Sequence, residues 1–363
     1  MGQSLRTFPR TSPRVATVRV ATVRVATVLV ATLAMSIGVA VGPSAAGATG
    51  PSAAGAGGPT ADGAAASRTD RPYRAVDLGF AATEWSLAIN DRGQVVGGGH
   101  LWQAGELTPL GAPDGFDRFH AAEINEAGMV VGNAITATGL SQVAVWHRGA
   151  FTTIEIPDAG SSYAVSINDL GVVFGTAEVT SPDQSFLWHR GELTMLWHNN
   201  AYAAQTGINN WGDIVGEYEP TPGYPCNCRG YRWHRGVRTD LGTLGGDGLW
   251  PNQPADVNNR REIVGGSTTA DRQWHAYLWR DGAIRDLGTL GGADSSAVAI
   301  SDRGVVIGHA DTATGASHPF RWQHGTMVDL TTLGLRPTDR VVDVNVRGQI
   351  VGIRDGRATL FVR

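Results

Sequence analysis

Residues 88–97 read Ala-Ile-Asn-Asp-Arg-Gly-Gln-Val-Val-Gly. The same pattern returns along the chain: an apolar residue and Asn, then two residues, a Gly and a Val-rich run that ends in Gly. The seven copies begin at Asn90, Asn125, Asn168, Asn209, Asn258, Ser301 and Asn345, with spacings of 35–49 residues. A period of about 40 residues is typical of repeat architectures.

Each copy carries four strand signals. The first is the alternating run into Asn, and the second is the Gly-x-Val-Val-Gly run. The third is a run centred on an aromatic residue, and the fourth is an Asp-Leu-Gly type of run, as at Asp286–Gly288. Short β-branched or aromatic runs bounded by glycine turns indicate strands. Four strands in about 40 residues match one blade of a propeller, so we predict an all-β, seven-bladed β-propeller.

The two ends of the repeat region complement each other. The last copy stops after its third strand, at residues 360–362, whereas an extra fourth-strand signal, Tyr73–Gly79, precedes the first copy. We therefore expect the N-terminal strand to complete the last blade and close the ring, which leaves no exposed sheet edge. The predicted propeller spans residues 73–363.

The N-terminus has a different composition. Five Arg precede an apolar run from Val25 to Val41, and Ala46–Ala48 offers a cleavage site, so residues 1–48 are predicted to be a secretory signal peptide. A retained membrane anchor is the alternative, although 17 residues are marginal for a span. Residues 49–72, rich in Ala, Gly, Pro and Ser, are expected to form a flexible linker.

Charge argues against two classes of partner. Residues 1–48 hold five Arg and no acid, so their removal takes the net charge from −4 to −9. A protein that acidic is a poor binder of nucleic acids and of anionic membranes. We expect a secreted, extracellular monomer that binds neither nucleic acid nor membrane after cleavage.

The turns predict two unequal faces. In a four-stranded meander, the turns between strands one and two and between strands three and four share one face. We expect this turn face to be bland, because its turns are short and glycine-based. Arg261 stands where the other copies have Gly and should be strained. The remaining connections are longer and more variable, and they share the opposite, long-loop face, where binding is expected.

Two repeated sets have structural interpretations. The six Trp of the third strands recur at one scaffold position and are predicted to be core residues. His147, His189 and His234 follow three of these Trp and are expected to be solvent-exposed turn residues too far apart to share a metal.

The candidate ligand-binding residues are those that break the repeat. They are aromatic residues and carboxylates that we place in the connections of the long-loop face: Glu84, Trp85, Phe116, Asp117, Tyr163, Trp197, Tyr202, Asp247, Trp250 and Trp274. Exposed aromatic rings can form platforms for sugar rings or apolar surfaces, while carboxylates bind hydroxyl groups. The alternative is that these loops fold back and bury their own aromatic residues.

Cys226 and Cys228 are the only two cysteines. In an exported protein they are expected to form a disulfide, although a Cys-x-Cys ring is tight and free thiols or weak metal binding remain alternatives. Asp247 and Asp294 could contribute oxygen ligands to Ca²⁺, but no known calcium-loop pattern is present. We predict no cofactor and no metal, because the sequence also lacks a nucleotide-binding or metalloprotease motif.

The chain resembles the HAF-repeat family of extracellular repeat proteins. The matching text is Asp286–Gly292, the Gly304–Gly308 run and His318–Phe320 with Trp322, and His275–Tyr277 with Trp279 is a close copy. The resemblance covers residues 73–363 and is weakest in the second to fourth copies. It implies secretion and carries no catalytic residues.

These observations predict a secreted binding or interaction module that recognises an extracellular polysaccharide or protein. The alternatives are a carbohydrate-active enzyme of the glycosidase or lyase type, with paired carboxylates at the central channel, and a purely structural repeat protein.

Overall fold

The computed structural model describes residues 71–83, 87–179, 183–198, 205–218, 228–247 and 251–363. These residues belong to one compact unit. They form seven antiparallel sheets of four strands each, arranged in a ring. The prediction of a seven-bladed propeller is therefore confirmed.

Six blades are built from consecutive strands, and each strand pairs with the next along the chain. In chain order, blades one to three are β2 (Leu87–Ile89), β3 (Val95–Gly97), β4 (His100–Gln103), β5 (Glu106–Pro109); β6 (Arg118–Ile124), β7 (Val130–Ile135), β8 (Ser141–His147), β9 (Ala150–Thr153); β10 (Ser162–Ile167), β11 (Val173–Ala177), β12 (Gln184–His189) and β13 (Glu192–His198). Blades four to six are β14 (Gln205–Ile208), β15 (Ile214–Tyr218), β16 (Arg229–His234), β17 (Val237–Asp240); β18 (Asn252–Val257), β19 (Ile263–Thr268), β20 (Trp274–Arg280), β21 (Ala283–Gly288); β22 (Gly291–Ile300), β23 (Val306–Thr312), β24 (Ser317–Gln323) and β25 (Thr326–Asp329).

The seventh blade closes the ring with both ends of the propeller. Its strands are β26 (Arg340–Val344), β27 (Ile350–Arg354), β28 (Arg357–Val362) and the N-terminal β1 (Arg74–Ala81). β1 pairs antiparallel with β28, with Arg74 opposite Val362. The predicted closure is confirmed, and it ties residues almost 290 positions apart into one sheet. A short 3-10 helix, Leu330–Leu333, precedes β26.

The core lies between the blades. Each of the seven seams between neighbouring blades holds one hydrophobic cluster of described residues. All six third-strand Trp pack in or against these clusters, and Phe361 takes their place in blade seven. The core interpretation of these aromatic residues is therefore confirmed.

The hairpin turns have the positive φ angles that their glycines predicted. Between strands three and four, a residue near φ 50° precedes a glycine near φ 90°, as in Ala104 and Gly105, which is the pattern of a type I′ turn. Arg261 has a φ of 62°, whereas glycines occupy the corresponding positions of the other six blades. Arg261 therefore has the left-handed backbone conformation that its place in a glycine position predicted.

Within the part of the chain that the structure describes, no helix has the length and apolarity needed to cross a bilayer.

Candidate functional site

Several sequence candidates lie outside the described residues. They are Glu84, Trp85, Tyr202 and Trp250. For Trp197, only its backbone place within β13 is described.

The described candidates are less loop-like than expected. Tyr163 and Trp274 lie within strands β10 and β20, not in connections. Asp117 and Asp247 are exposed, but Phe116 is half-buried against the cluster between blades one and two. Phe119, the next aromatic residue along the chain after Phe116, lies in β6, is 2% exposed and belongs to that cluster. For these two Phe, the alternative that the loops bury their own rings is the better description.

The candidates in the strands make defined contacts. The Tyr163 hydroxyl donates to Glu178 Oε1 at 3.1 Å. The Trp274 backbone N–H donates to Asp294 Oδ1 at 2.8 Å, and the indole of Trp274 lies so close to Gly266 that a Cβ on that residue would collide with it. Asp294 therefore helps to position the start of β20. Among the described residues, no cluster of three or more acidic, His or Cys side chains is placed to hold a metal ion.

Cys228 is disulfide-bonded and fully buried. Cys226, the only other cysteine in the chain, lies outside the described residues.

The His that begins each of the His275–Tyr277 and His318–Phe320 runs pairs with the Asp of the fourth-strand run in the same blade. Nδ1 of His275 lies 2.8 Å from Asp286 Oδ2, and Nδ1 of His318 lies 2.8 Å from Asp329 Oδ2. The other oxygen of each carboxylate accepts a backbone N–H two residues later, from Gly288 in the first case. Arg229 and Asp240 form the equivalent pair in blade four. These pairs thus join strands three and four.

The Asn that begins each repeat joins neighbouring blades. Asn168 is typical, because its Oδ1 accepts the N–H groups of Leu170 and Val172 in its own turn. Its Nδ2 donates to the carbonyl of Asn209 in the next blade at 3.0 Å. Six of the seven seams carry this bond, including the closing bond from Asn345 to Asn90. The seam between blades six and seven lacks this bond, because Ser301 stands in the place of the Asn. The Ser301 hydroxyl accepts the N–H of Val305 in its own turn.

In six of the seven blades, the residue after the repeat Asn or Ser adds a second ring around the mouth of the central channel, and Val346 holds this place in blade seven. In each of the six, its side chain accepts a backbone N–H from the preceding blade, as Asp169 accepts from Glu126 at 2.9 Å. The accepting side chains are Asp91, Glu126, Asp169, Asn210, Asn259 and Asp302. Burial, reinforced by neighbouring carboxylates, raises the pKa of Asp91 and of Glu126.

Three further carboxylates lie deeper in the channel, two residues before an Asn. Glu123, Asp256 and Asp343 each accept the backbone N–H of an Ile in the next blade at 2.8–2.9 Å. Burial raises the pKa of Glu123 to about 8 and that of Asp256 to about 7, and it also raises the pKa of Asp343. Together the rings enclose a cavity of about 150 Å³. The turn face, predicted to be bland, thus has the short turns that were expected but also an acidic channel mouth that was not.

His147, His189 and His234 are half-buried, not freely exposed as expected. Nδ1 of His234 lies 2.9 Å from Oδ1 of Asp213, which is fully buried. Asp213 also contacts Arg232 and Arg261 at 2.9 and 3.3 Å, and it accepts a hydrogen bond from Asn209. Asp213 is thus a buried carboxylate that forms ion pairs with two Arg side chains, and it serves as a structural anchor beneath the turn face.

The seam between blades four and five contains three unusual polar groups on the side of the long-loop face. Glu217 is 5% exposed, and burial raises its pKa to about 8. Tyr277 and Asn252 are buried beside it, and their side chains approach each other. Among the described residues, neither the Tyr277 hydroxyl nor Asn252 Oδ1 has a hydrogen-bond partner of good geometry. Burial and the proximity of Glu217 raise the pKa of Tyr277 well above its usual value. Unpaired buried polar groups are rare and costly.

No protein family model matches the chain, and no curated protein matches it. Among solved structures, the chain is similar to a streptogramin B lyase, with 12% identity and a TM-score of 0.50 over 82% of this chain and 99% of that one. It is also similar to the β-propeller domain of the Trilobed protease from Pyrococcus furiosus, with 10% identity and a TM-score of 0.52 over 78% and 91% of the two chains. At such identities the likeness shows the fold alone.

Proposed function

We propose that this protein is a secreted binding or interaction module whose long-loop face recognises an extracellular polysaccharide or protein. The observation that carries this proposal is the group of Glu217, Tyr277 and Asn252, whose buried polar atoms make no well-formed hydrogen bond to the rest of the described fold through the Tyr277 hydroxyl or Asn252 Oδ1. A buried polar group without a well-formed hydrogen bond costs about 1–3 kcal/mol, so the retention of this group calls for a reason beyond folding.

Comparison with the other blades shows that the scaffold does not need these groups. The position of Tyr277, two residues before the third-strand Trp, is held by Phe186 and Phe320 in blades three and six. Both Phe side chains are fully buried. The fold therefore does not require a hydroxyl group at this position, although blade four also carries one there, in Tyr231.

Glu217 is exceptional at its own position. The corresponding residue of blade two is Asn133, whose Oδ1 accepts the N–H of Ala164 in the next blade at 2.9 Å. In blade six His309 faces the Asp339 carbonyl of blade seven. Glu217 has no such bond among the described residues, although it occupies the same place beside blade five.

The chemistry of the group fits a neutral ligand rich in hydroxyl or amide groups. With a pKa of about 8, Glu217 is largely protonated at pH 7 and can donate a hydrogen bond, whereas Asn252 Oδ1 can accept one. The sequence candidate Trp250 lies two residues before Asn252, and Trp274 begins the third strand of the same blade. An aromatic platform beside neutral donors and acceptors is the usual composition of a sugar-binding surface.

The enzymatic alternative has one observation in its favour. Glu123 and Asp256 line the channel and have pKa values of about 8 and 7, the range of a general acid. Each, however, already accepts a backbone N–H from the next blade, which is a scaffold role. Glycosidase assays on Glu123→Gln and Asp256→Asn variants test this alternative, since hydrolysis that is lost in both would favour it over binding.

A glycan array and a peptidoglycan pull-down test the binding proposal. We expect Tyr277→Phe and Glu217→Gln to weaken retention about tenfold, because a ligand loses a buried hydrogen bond. Trp85→Ala and Trp250→Ala test the sequence candidates in the same assay. Tyr231→Phe is the matched control, since Tyr231 holds the equivalent place in blade four. Retention that is equal in all variants and in the native protein would refute the proposal.

A further inference from the structure

The turn face carries an outer ring of seven exposed side chains, two residues after each repeat Asn or Ser. The ring divides into a basic arc and an apolar arc. The basic arc lies on blades five, six, seven and one, and the apolar arc lies on blades two, three and four. The seven residues are Arg260, Arg303, Arg347, Arg92, Ala127, Leu170 and Trp211.

Leu170 and Trp211 make the apolar arc a large exposed patch. They are 60% and 58% exposed, and they occupy equivalent positions on neighbouring blades. The two blades are fixed to each other here, because the Asp169 backbone N–H donates to Asn210 Oδ1 at 2.8 Å. Large apolar side chains exposed side by side on a soluble protein are a mark of an interaction surface.

Trp211 is held in place by its surroundings. Its indole Nε1–H donates to the carbonyl of Asn259 at 2.8 Å, and the guanidinium of Arg261 lies 4.9 Å from the ring centroid. Arg261 is in turn held by the buried carboxylate of Asp213. The ring is therefore fixed before any partner arrives, and a pre-ordered Trp loses little conformational entropy on binding.

The apolar arc borders the acidic mouth of the channel. Leu170 directly follows Asp169, and Ala127 directly follows Glu126, whose carboxylates belong to the second ring. The basic arc lies beyond the mouth, on the far side of the ring. On blades two to four, the nearest exposed cations are Arg148, Arg190 and Arg235 in the strand three–four turns, which lie farther from the channel than the carboxylates do. A partner that carries a cationic side chain beside an apolar one would therefore fit blades two to four. Only there do carboxylates at the channel mouth lie near the exposed ring of Trp211.

We propose that this part of the turn face docks a protein segment that places an apolar side chain on Leu170 and Trp211 and a neighbouring Lys or Arg at the channel mouth. Charge complementarity selects this occupant. The carboxylates repel an acidic segment and an anionic lipid surface, and the exposed indole favours an apolar anchor. The proposal is independent of the long-loop face, so either can fail without the other.

The test uses the full chain and a phage-displayed library of random 12-residue peptides. We expect the enriched peptides to combine Lys or Arg with an apolar residue within a few positions. Their synthetic versions should bind about tenfold more weakly to Trp211→Ser, the effect typical of removing a Trp hot spot. Binding should also weaken at high salt and in the Glu126→Gln/Asp169→Asn double variant, whose amides can still accept the backbone bonds.

Two further variants separate docking from folding. Leu170→Ser removes a side chain that supports no described network, and it should also weaken binding. Val237→Ser removes an equally exposed apolar side chain from the start of β17, the fourth strand of blade four, and it should bind as the native protein does.

Three results would overturn the proposal. The first is enrichment of acidic peptides or of no common pattern. The second is binding that Trp211→Ser and Leu170→Ser leave unchanged. The third is a dimer in sedimentation velocity that Trp211→Ser abolishes, because the face would then bind a second copy of this chain.

Discussion

The two faces of the propeller are built by opposite means. The turn face is made by the repeat itself, because the repeat Asn and the polar side chains that follow it connect neighbouring blades across six of the seven seams. The long-loop face is made by residues outside the repeat, and the Glu217 group beneath it contains polar atoms without well-formed hydrogen bonds among the described residues. The comparison shows that a residue repeated once per blade can form a site, because its copies are all brought close to the central axis of the ring.

The largest expected effect comes from breaking the anchor beneath the turn face. Asp213→Ala should lower the free energy of unfolding by about 3–5 kcal/mol, because it leaves Arg232 and Arg261 without their buried carboxylate. Urea denaturation measures the change. Asp281→Ala is the control, since this exposed carboxylate pairs only with Arg280 and should cost less than about 1 kcal/mol. Equal losses would show that Asp213 anchors nothing.

The second-largest effect is expected for the ring of repeat Asn side chains that joins neighbouring blades. Asn168→Ala removes two bonds within the turn and one bond between blades, and it should cost about 2–3 kcal/mol of stability. The same substitution at Ser301, which makes no bond between blades through its side chain, should cost about 1 kcal/mol. Urea denaturation of both variants measures the difference. A loss of stability at Ser301 as large as that at Asn168 would contradict a stabilising role for the bonds between blades.

The long-loop face should show a pH dependence through Glu217. Its folded pKa of about 8 lies above its usual value of 4.5, so between these values the unfolded state releases a proton that the folded state keeps. Stability is therefore full below about pH 4.5 and falls as the pH rises toward 8, by at most about 1.4 kcal/mol per pH unit. Glu217→Gln should remove this part of the slope in denaturation measured from pH 5 to 8. An unchanged slope would mean that Glu217 is ionised in the fold.

The smallest effect should be a gain. Ser301→Asn restores the residue that the other six blades carry, and its Nδ2 could donate to the Asn345 carbonyl across the one seam that lacks this bond. We expect about 0.5–1.5 kcal/mol of added stability, measured by thermal and urea denaturation. A destabilised variant would show that the seam between blades six and seven has a different geometry from the others.

Much of the fold was predictable because its signals are local. The glycine turns, the third-strand Trp and the displaced strand at Tyr73–Gly79 each follow from backbone or packing rules that operate within one repeat. Those rules also predicted the positive φ of Arg261. The placement of Phe116 and Phe119 was harder, because an aromatic residue outside the repeat pattern has the same sequence signature whether it packs inward or outward.

The candidate sites were less predictable, because they arise between blades. Asp169 and Asn210 are 41 positions apart and meet only when two turns lie side by side. Glu217, Tyr277 and Asn252 come from three strands of two blades. One signal was present in the sequence: Tyr277 carries a hydroxyl where Phe186 and Phe320 do not.

The sequence by itself determined the number of blades, their strands, the turn backbone and the closure by β1, because each depends on short-range patterning repeated seven times. Only the tertiary structure decided what the repeats do together. It placed the Asn side chains on the neighbouring carbonyls, gathered the carboxylates around one channel and left Leu170 and Trp211 exposed beside them. Those properties depend on distances across seams, which no single repeat contains.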